Sequence, residues 1–88
     1  MQINKDFTIQ KVGAYYVAVP VGETSKNFHG MVKLNETGAF LWNLLAKEDL
    51  TEEDVVERLL GEYDVSREIA ERDVHRVMEL LRENGILI

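Results

Sequence analysis

Apolar and polar residues alternate twice near the start of the chain and then change to a helical rhythm. Phe7 and Ile9 alternate with Thr8 and Gln10 over residues 7–12, and Tyr15, Val17, Val19 and Val21 fall on one face of residues 15–21. A period of two belongs to a strand, and Gly13 between the runs supplies a tight turn, so the pattern predicts a hairpin. Pro20 has no N–H to give a ladder and marks a strand end. Residues 22–30, GETSKNFHG, are polar and turn-rich and predict a loop, with Phe28, its one large apolar residue, tucked against the domain. Residues 31–34 predict a third strand, with Val32 and Leu34 inward and Met31 and Lys33 outward.

From Asn35 the period becomes 3.6. The segment MVKLNETGAFLW runs a short strand straight into a capped helix: Asn35 caps, Gly38 lets backbone approach closely, and Phe40, Leu41 and Trp42 open an apolar face. A first helix is predicted over residues 36–46, burying Phe40, Leu41, Leu44 and Leu45, with Trp42 read as a core residue. Thr51 followed by Glu52, Glu53 and Asp54 has the form of a capping box with acids in the first turn, and a second helix buries Val55, Val56, Leu59 and Leu60, with Tyr63 packed at its end. A third helix is predicted from near Ser66 to Asn84, using Ile69, Ala70, Val74, Val77, Met78 and Leu81, and Asn84-Gly85 supplies its left-handed stop. The tail Ile86-Leu87-Ile88 is expected to pack on the core. Three strands followed by three helices is the order of an α+β fold. Residues 1–88 make one small domain, burying about 60–65% of the surface of the unfolded chain.

Charge changes the picture of partners. The net charge is −6, and it is unevenly placed. Residues 1–46 carry four lysines against Asp6, Glu23 and Glu36, whereas residues 47–88 carry six basic residues against thirteen acids. Phosphate backbones are held by Lys and Arg, so an acidic helical half argues against nucleic acid. With no cysteine there is no disulfide and no thiolate chemistry, which fits a reducing cytoplasm. No apolar run approaches a membrane span.

The residues of catalysis are sparse. His29 and His75 have no ligand-spaced neighbour, the carboxylates fall on polar helix faces, and Ser25 and Ser66 read as loop and cap residues. The glycines have neither phosphate-cradling spacing. No enzyme activity, metal or cofactor is expected. Two features remain. One is the backbone edge of the third strand around residues 30–34, open to an added strand if it lies at the sheet's margin. The other is the outer flank of the third helix, with Asp73, Arg76, Val77, Leu80 and Met78. Leu80 and Met78 also read as more core.

The segment GETSKNFHGMVKLNETGAFLWNLL, with Glu62-Tyr63-Asp64-Val65 and the closing Glu83-Asn84-Gly85-Ile86-Leu87, resembles the PqqD-like family. These are small proteins or domains similar to the coenzyme PQQ synthesis protein D, and serve as recognition elements for ribosomally made, modified peptides. The resemblance covers about four-fifths of the chain, mainly Tyr15 to Ile88. It implies a winged helix-turn-helix-like fold, a three-stranded antiparallel sheet with three helices. It also implies a non-catalytic adaptor that takes the leader segment of a precursor peptide as an extra strand and delivers it to a modifying enzyme, often a radical S-adenosylmethionine (SAM) enzyme.

Carried onto this chain, the edge is Phe28, Gly30, Met31, Val32, Lys33 and Leu34, and the helix wall is Asp73, Arg76, Val77 and Leu80. Lys33 and Arg76 would meet leader acids, and Asp73 a leader base. The loop at residues 22–30 is longer than in the PQQ-pathway protein, which points to a stand-alone relative from another peptide pathway. Two other readings stay open: a winged helix DNA-binding regulator, which shares the helix order but is opposed by the acidic second half and by the acids Glu68, Glu71, Asp73, Glu79 and Glu83 on the third helix, and a purely structural subunit of a modifying enzyme that does not touch its substrate. A monomer or a domain-swapped dimer is expected, since open edges invite self-association.

Overall fold

The computed structural model describes residues 1–22 and 32–88. Strands β1 (Phe7–Val12), β2 (Tyr15–Pro20) and β3 (Val32–Leu34) are followed by helices α1 (Glu36–Lys47), α2 (Glu52–Glu62) and α3 (Arg67–Glu83). The sheet is antiparallel in the order β1-β2-β3, which makes an α+β fold with β3 at one margin and β1 at the other.

Local chemistry accounts for the element boundaries. Val12 pairs with Tyr15, leaving Gly13 and Ala14 as a two-residue loop. Gly13 has φ +60 and Ala14 no positive φ, the pattern of a II′ turn, which needs glycine first. Each helix begins on a side-chain cap. Asn35 accepts from the Gly38 N–H at 2.8 Å, Thr51 and Asp54 form a reciprocal capping box, and Ser66 accepts from the Ile69 N–H. α3 closes at Asn84, and Gly85 takes φ +70.

Phe7, Ala18, Val32, Leu34, Leu41, Trp42, Val55, Leu59, Val74, Met78 and Leu81 share one hydrophobic cluster between the sheet and the helices. Leu44 is half-buried, and Phe40, Leu60 and Tyr63 pack at the cluster's margin. The Phe40 and Tyr63 rings meet edge to face at 5.5 Å, which ties α1 to the end of α2, and burial pushes the Tyr63 hydroxyl pKa up.

Three placements differ from, or add to, the pattern reading. Tyr15, Val17 and Val19 do share a face of β2, but the face turned to the helices carries Tyr16 and Ala18. Ile69, expected in the core, is 41% exposed: it lies one position off the buried stripe of Ala70, Val74, Val77 and Leu81. The termini pair with each other, which no local signal announces. Gln2 and Ile88 exchange backbone hydrogen bonds at 3.0 and 2.8 Å, and Ile3 bridges Leu87. This pairing buries Ile86 completely while Ile88 stays exposed.

Candidate site at the third-strand edge

The direction of each backbone group on the sheet follows from one hydrogen bond. Val21 N–H donates to the Asp6 carbonyl at 2.8 Å, in register with the β1–β2 ladder. Hydrogen-bonded pairs alternate along an antiparallel ladder, so Thr8, Gln10 and Val12 face β2 with their N–H and C=O groups. On β2 it is then Tyr16 and Ala18 that turn toward β3, where they oppose Leu34 and Val32. Lys33 opposes Val17 and directs its own N–H and C=O away from the sheet. Among the described residues no strand lies on that side of β3.

Beside this margin runs a groove of about 340 Å³ between β3 and α3. Leu34, Val77 and Leu80 give it an apolar floor, and Lys33, Arg76 and Tyr15 stand around it. Val32 and Leu34 are buried and Lys33 is exposed, as the strand pattern requires. Gly38 holds the junction close: a Cβ there would sit 3.2 Å from both Cβ and Cδ2 of Leu34, so α1 starts directly against the last residue of β3.

Of the expected site residues, Lys33, Leu34, Arg76, Val77 and Leu80 come together in the groove. Val32 is turned into the core. Asp73 lies one turn from Arg76 on α3, outside the groove lining, with its carboxylate 3.9 Å from Arg76 and 3.7 Å from Arg72. That carboxylate is already answered by two guanidinium groups, which weakens its expected role as the partner of a leader base. Phe28, Gly30 and Met31 fall within residues 23–31, outside the described residues, as does the expected loop from residue 23 onward.

Met78 is fully buried and therefore core, whereas Leu80 is partly exposed and faces the groove. Ala14 and Tyr15, at the hairpin end, also line it. Sequence reasoning missed both. The signal was available for Tyr15, since the alternation put it on the same face as Val17, which pairs with Lys33.

The groove has the makings of a binding surface: one outward backbone donor and acceptor, an apolar floor, and two cations on its rim. Among the described residues no cluster of His, Cys, Asp or Glu could hold a metal ion, and no helix is long and apolar enough to cross a membrane.

Comparison with curated protein sequences finds no match. Among solved structures, the chain is similar to TbiB1 in complex with the TbiA(beta) leader peptide, with a TM-score of 0.73 and 24% identity, covering 99% of this chain and 94% of that one. It is also similar to lasso peptide synthetase B1 complexed with the leader peptide, with a TM-score of 0.69 and 26% identity over 97% and 93% of the two chains. The family model of coenzyme PQQ synthesis protein D matches residues 16–87. That span takes in β3, α3 and every residue lining the groove except Ala14 and Tyr15, and the chain belongs to the PqqD family.

Proposed function

We propose that this chain is a non-catalytic adaptor. It binds the leader segment of a ribosomally made precursor peptide as an added strand on β3 and presents it to a modifying enzyme. The observation that carries this reading is the outward backbone pair of Lys33 beside the α3 wall of Arg76, Val77 and Leu80. Strand addition draws affinity from main-chain hydrogen bonds and selectivity from pockets for alternate side chains. Leu34, Val77 and Leu80 offer the apolar pocket, while Lys33 and Arg76 favour acids in the leader. By the family resemblance we also propose leader contacts for Phe28, Gly30 and Met31, which lie outside the described residues, and for Asp73 on α3.

Family membership supports the reading, and so do the two structural neighbours, whose names describe complexes with leader peptides. Binding in the micromolar range or slightly tighter corresponds to roughly −8 to −10 kcal/mol, within reach of one short strand with two or three apolar anchors. For the recipient, a radical SAM enzyme is the first candidate. A lasso-type synthetase is the second, favoured by the name of one neighbour. Co-purification with each enzyme separates them.

The test is Lys33→Pro. Proline deletes the outward N–H, yet removes no bond to β2, because Lys33 makes none. The variant is expected to fold and to bind, at least about tenfold more weakly, a leader peptide that the unaltered chain binds. A folded variant with unchanged affinity would place the leader elsewhere.

A further inference from the structure

The sheet has a second margin. By the same alternation, Ile9 and Lys11 of β1 turn their N–H and C=O groups away from β2, and no strand pairs with them there among the described residues. A cleft of about 480 Å³ runs along this margin, between β1 and the C-terminal half of α1. Phe7, Ile9 and Trp42 supply its apolar side, and Lys5 and Lys47 stand on its polar side.

The charge of this margin runs against that of the whole chain. Lys5, Lys11 and Lys47 are three of only five lysines in a protein of net charge −6. Neither Lys5 nor Lys47 has an ion pair among the described residues. The one acid lining the cleft, Glu48, is held by both terminal nitrogens of Arg58, at 2.9 and 2.8 Å. Asp6, next to Lys5, leaves the lysines in excess.

Lysines beside an open edge discriminate between guests. A second copy paired on β1 would bring its own lysines against these and be repelled. A strand carrying acids would instead gain both the backbone bonds and the charge match.

We propose that the β1 edge is a second strand-docking site, which takes an extended acidic segment of a partner protein. It lies across β2 from β3, about 10 Å away at ordinary strand spacing, so both edges can be occupied at once. A leader on β3 and a partner strand on β1 would then belong to one continuous sheet. The proposal does not depend on the leader reading, because the two sites report on different amides.

The test is a titration of the ¹⁵N-labelled full chain with two synthetic hexapeptides, one alternating Glu and Val, the other alternating Lys and Val. The acidic peptide is expected to move the amide signals of Ile9 and Lys11, and the basic one to leave them in place. Lys5→Glu combined with Lys47→Glu is expected to weaken the acidic peptide by roughly fivefold or more. Lys11→Pro, which spares the β1–β2 ladder but deletes one outward donor, is expected to weaken the response that the acidic peptide produces at the Ile9 amide, and an undiminished Ile9 response would overturn the proposal. The proposal is overturned if Ile9 and Lys11 stay unmoved at millimolar acidic peptide, or if only Lys33 responds. It is equally overturned if the Ile9 and Lys11 signals shift with protein concentration alone, which would make a second copy the occupant.

Discussion

The Lys33 ammonium stands 4.1 Å from the centroid of the Tyr15 ring, diagonally across the β2–β3 pairing on the face turned away from the helices. The contact links the hairpin end to the outward residue of β3, the strand to which the proposed function assigns the guest. A cation over a tyrosine face at an exposed site contributes about 0.5–1 kcal/mol. In a double-mutant cycle of Tyr15→Leu and Lys33→Met, urea unfolding is expected to give a coupling of that size with unchanged m-values. Strictly additive variants would show that the contact does not hold in solution.

Gly38→Ala sets helix propensity against space. Alanine gains about 1 kcal/mol over glycine in a helix, but its Cβ would meet Leu34 at 3.2 Å. Leu34 is buried and anchored in the sheet, so its Cβ cannot swing away, and overpacking of this kind costs about 1–3 kcal/mol. The variant is expected to unfold at lower urea and to bind leader more weakly, because the displaced atom belongs to the groove floor. A higher urea midpoint would contradict this packing.

The exposure of Ile69 gives a contrast on one helix. Ile69→Lys is expected to change stability by less than about 0.5 kcal/mol, and Leu81→Ala, at a fully buried position, to cost about 2–5 kcal/mol. Thermal melts of the two variants decide the matter. Comparable losses would mean that Ile69 is covered in solution.

The Arg58 guanidinium, by its paired hydrogen bonds, holds the Glu48 carboxyl below the usual glutamate range. A carboxyl lowered on folding contributes stability that is present above its unfolded value and lost as pH falls through its folded value. The contribution therefore fades only on the acid side, and because both side chains reach solvent it weakens with salt. NMR titration of the Glu48 carboxyl carbon is expected to give a midpoint that rises toward the ordinary glutamate value in Arg58→Met. An unmoved midpoint would show that the pair is not formed.

The parts of the fold legible in the sequence are those set by neighbours along the chain. Asn35, Thr51 with Asp54, and Ser66 each start a helix through a bond to a backbone three residues on, and Gly85 ends one through its own φ. The groove was partly legible for the same reason, since Lys33 alternates with two buried strand residues and Arg76, Val77 and Leu80 lie close together on one helix. What needed the third dimension was less visible. The face of β2 that meets the helices is the less apolar-looking one, Tyr16 and Ala18, because alternation fixes which residues share a face but not which face is covered. The pairing of Gln2 with Ile88 joins opposite ends of the chain. Ile69 is apolar without being core, because α3's buried stripe begins at Ala70.

Amide hydrogen exchange at Lys33 tests strand addition most directly, since that N–H is the outward donor of β3. At saturation with a leader peptide that the chain binds, its exchange is expected to slow by orders of magnitude while Ile9 and Lys11 remain as in the free protein. Unchanged exchange at Lys33 in a fully formed complex would contradict leader binding on β3.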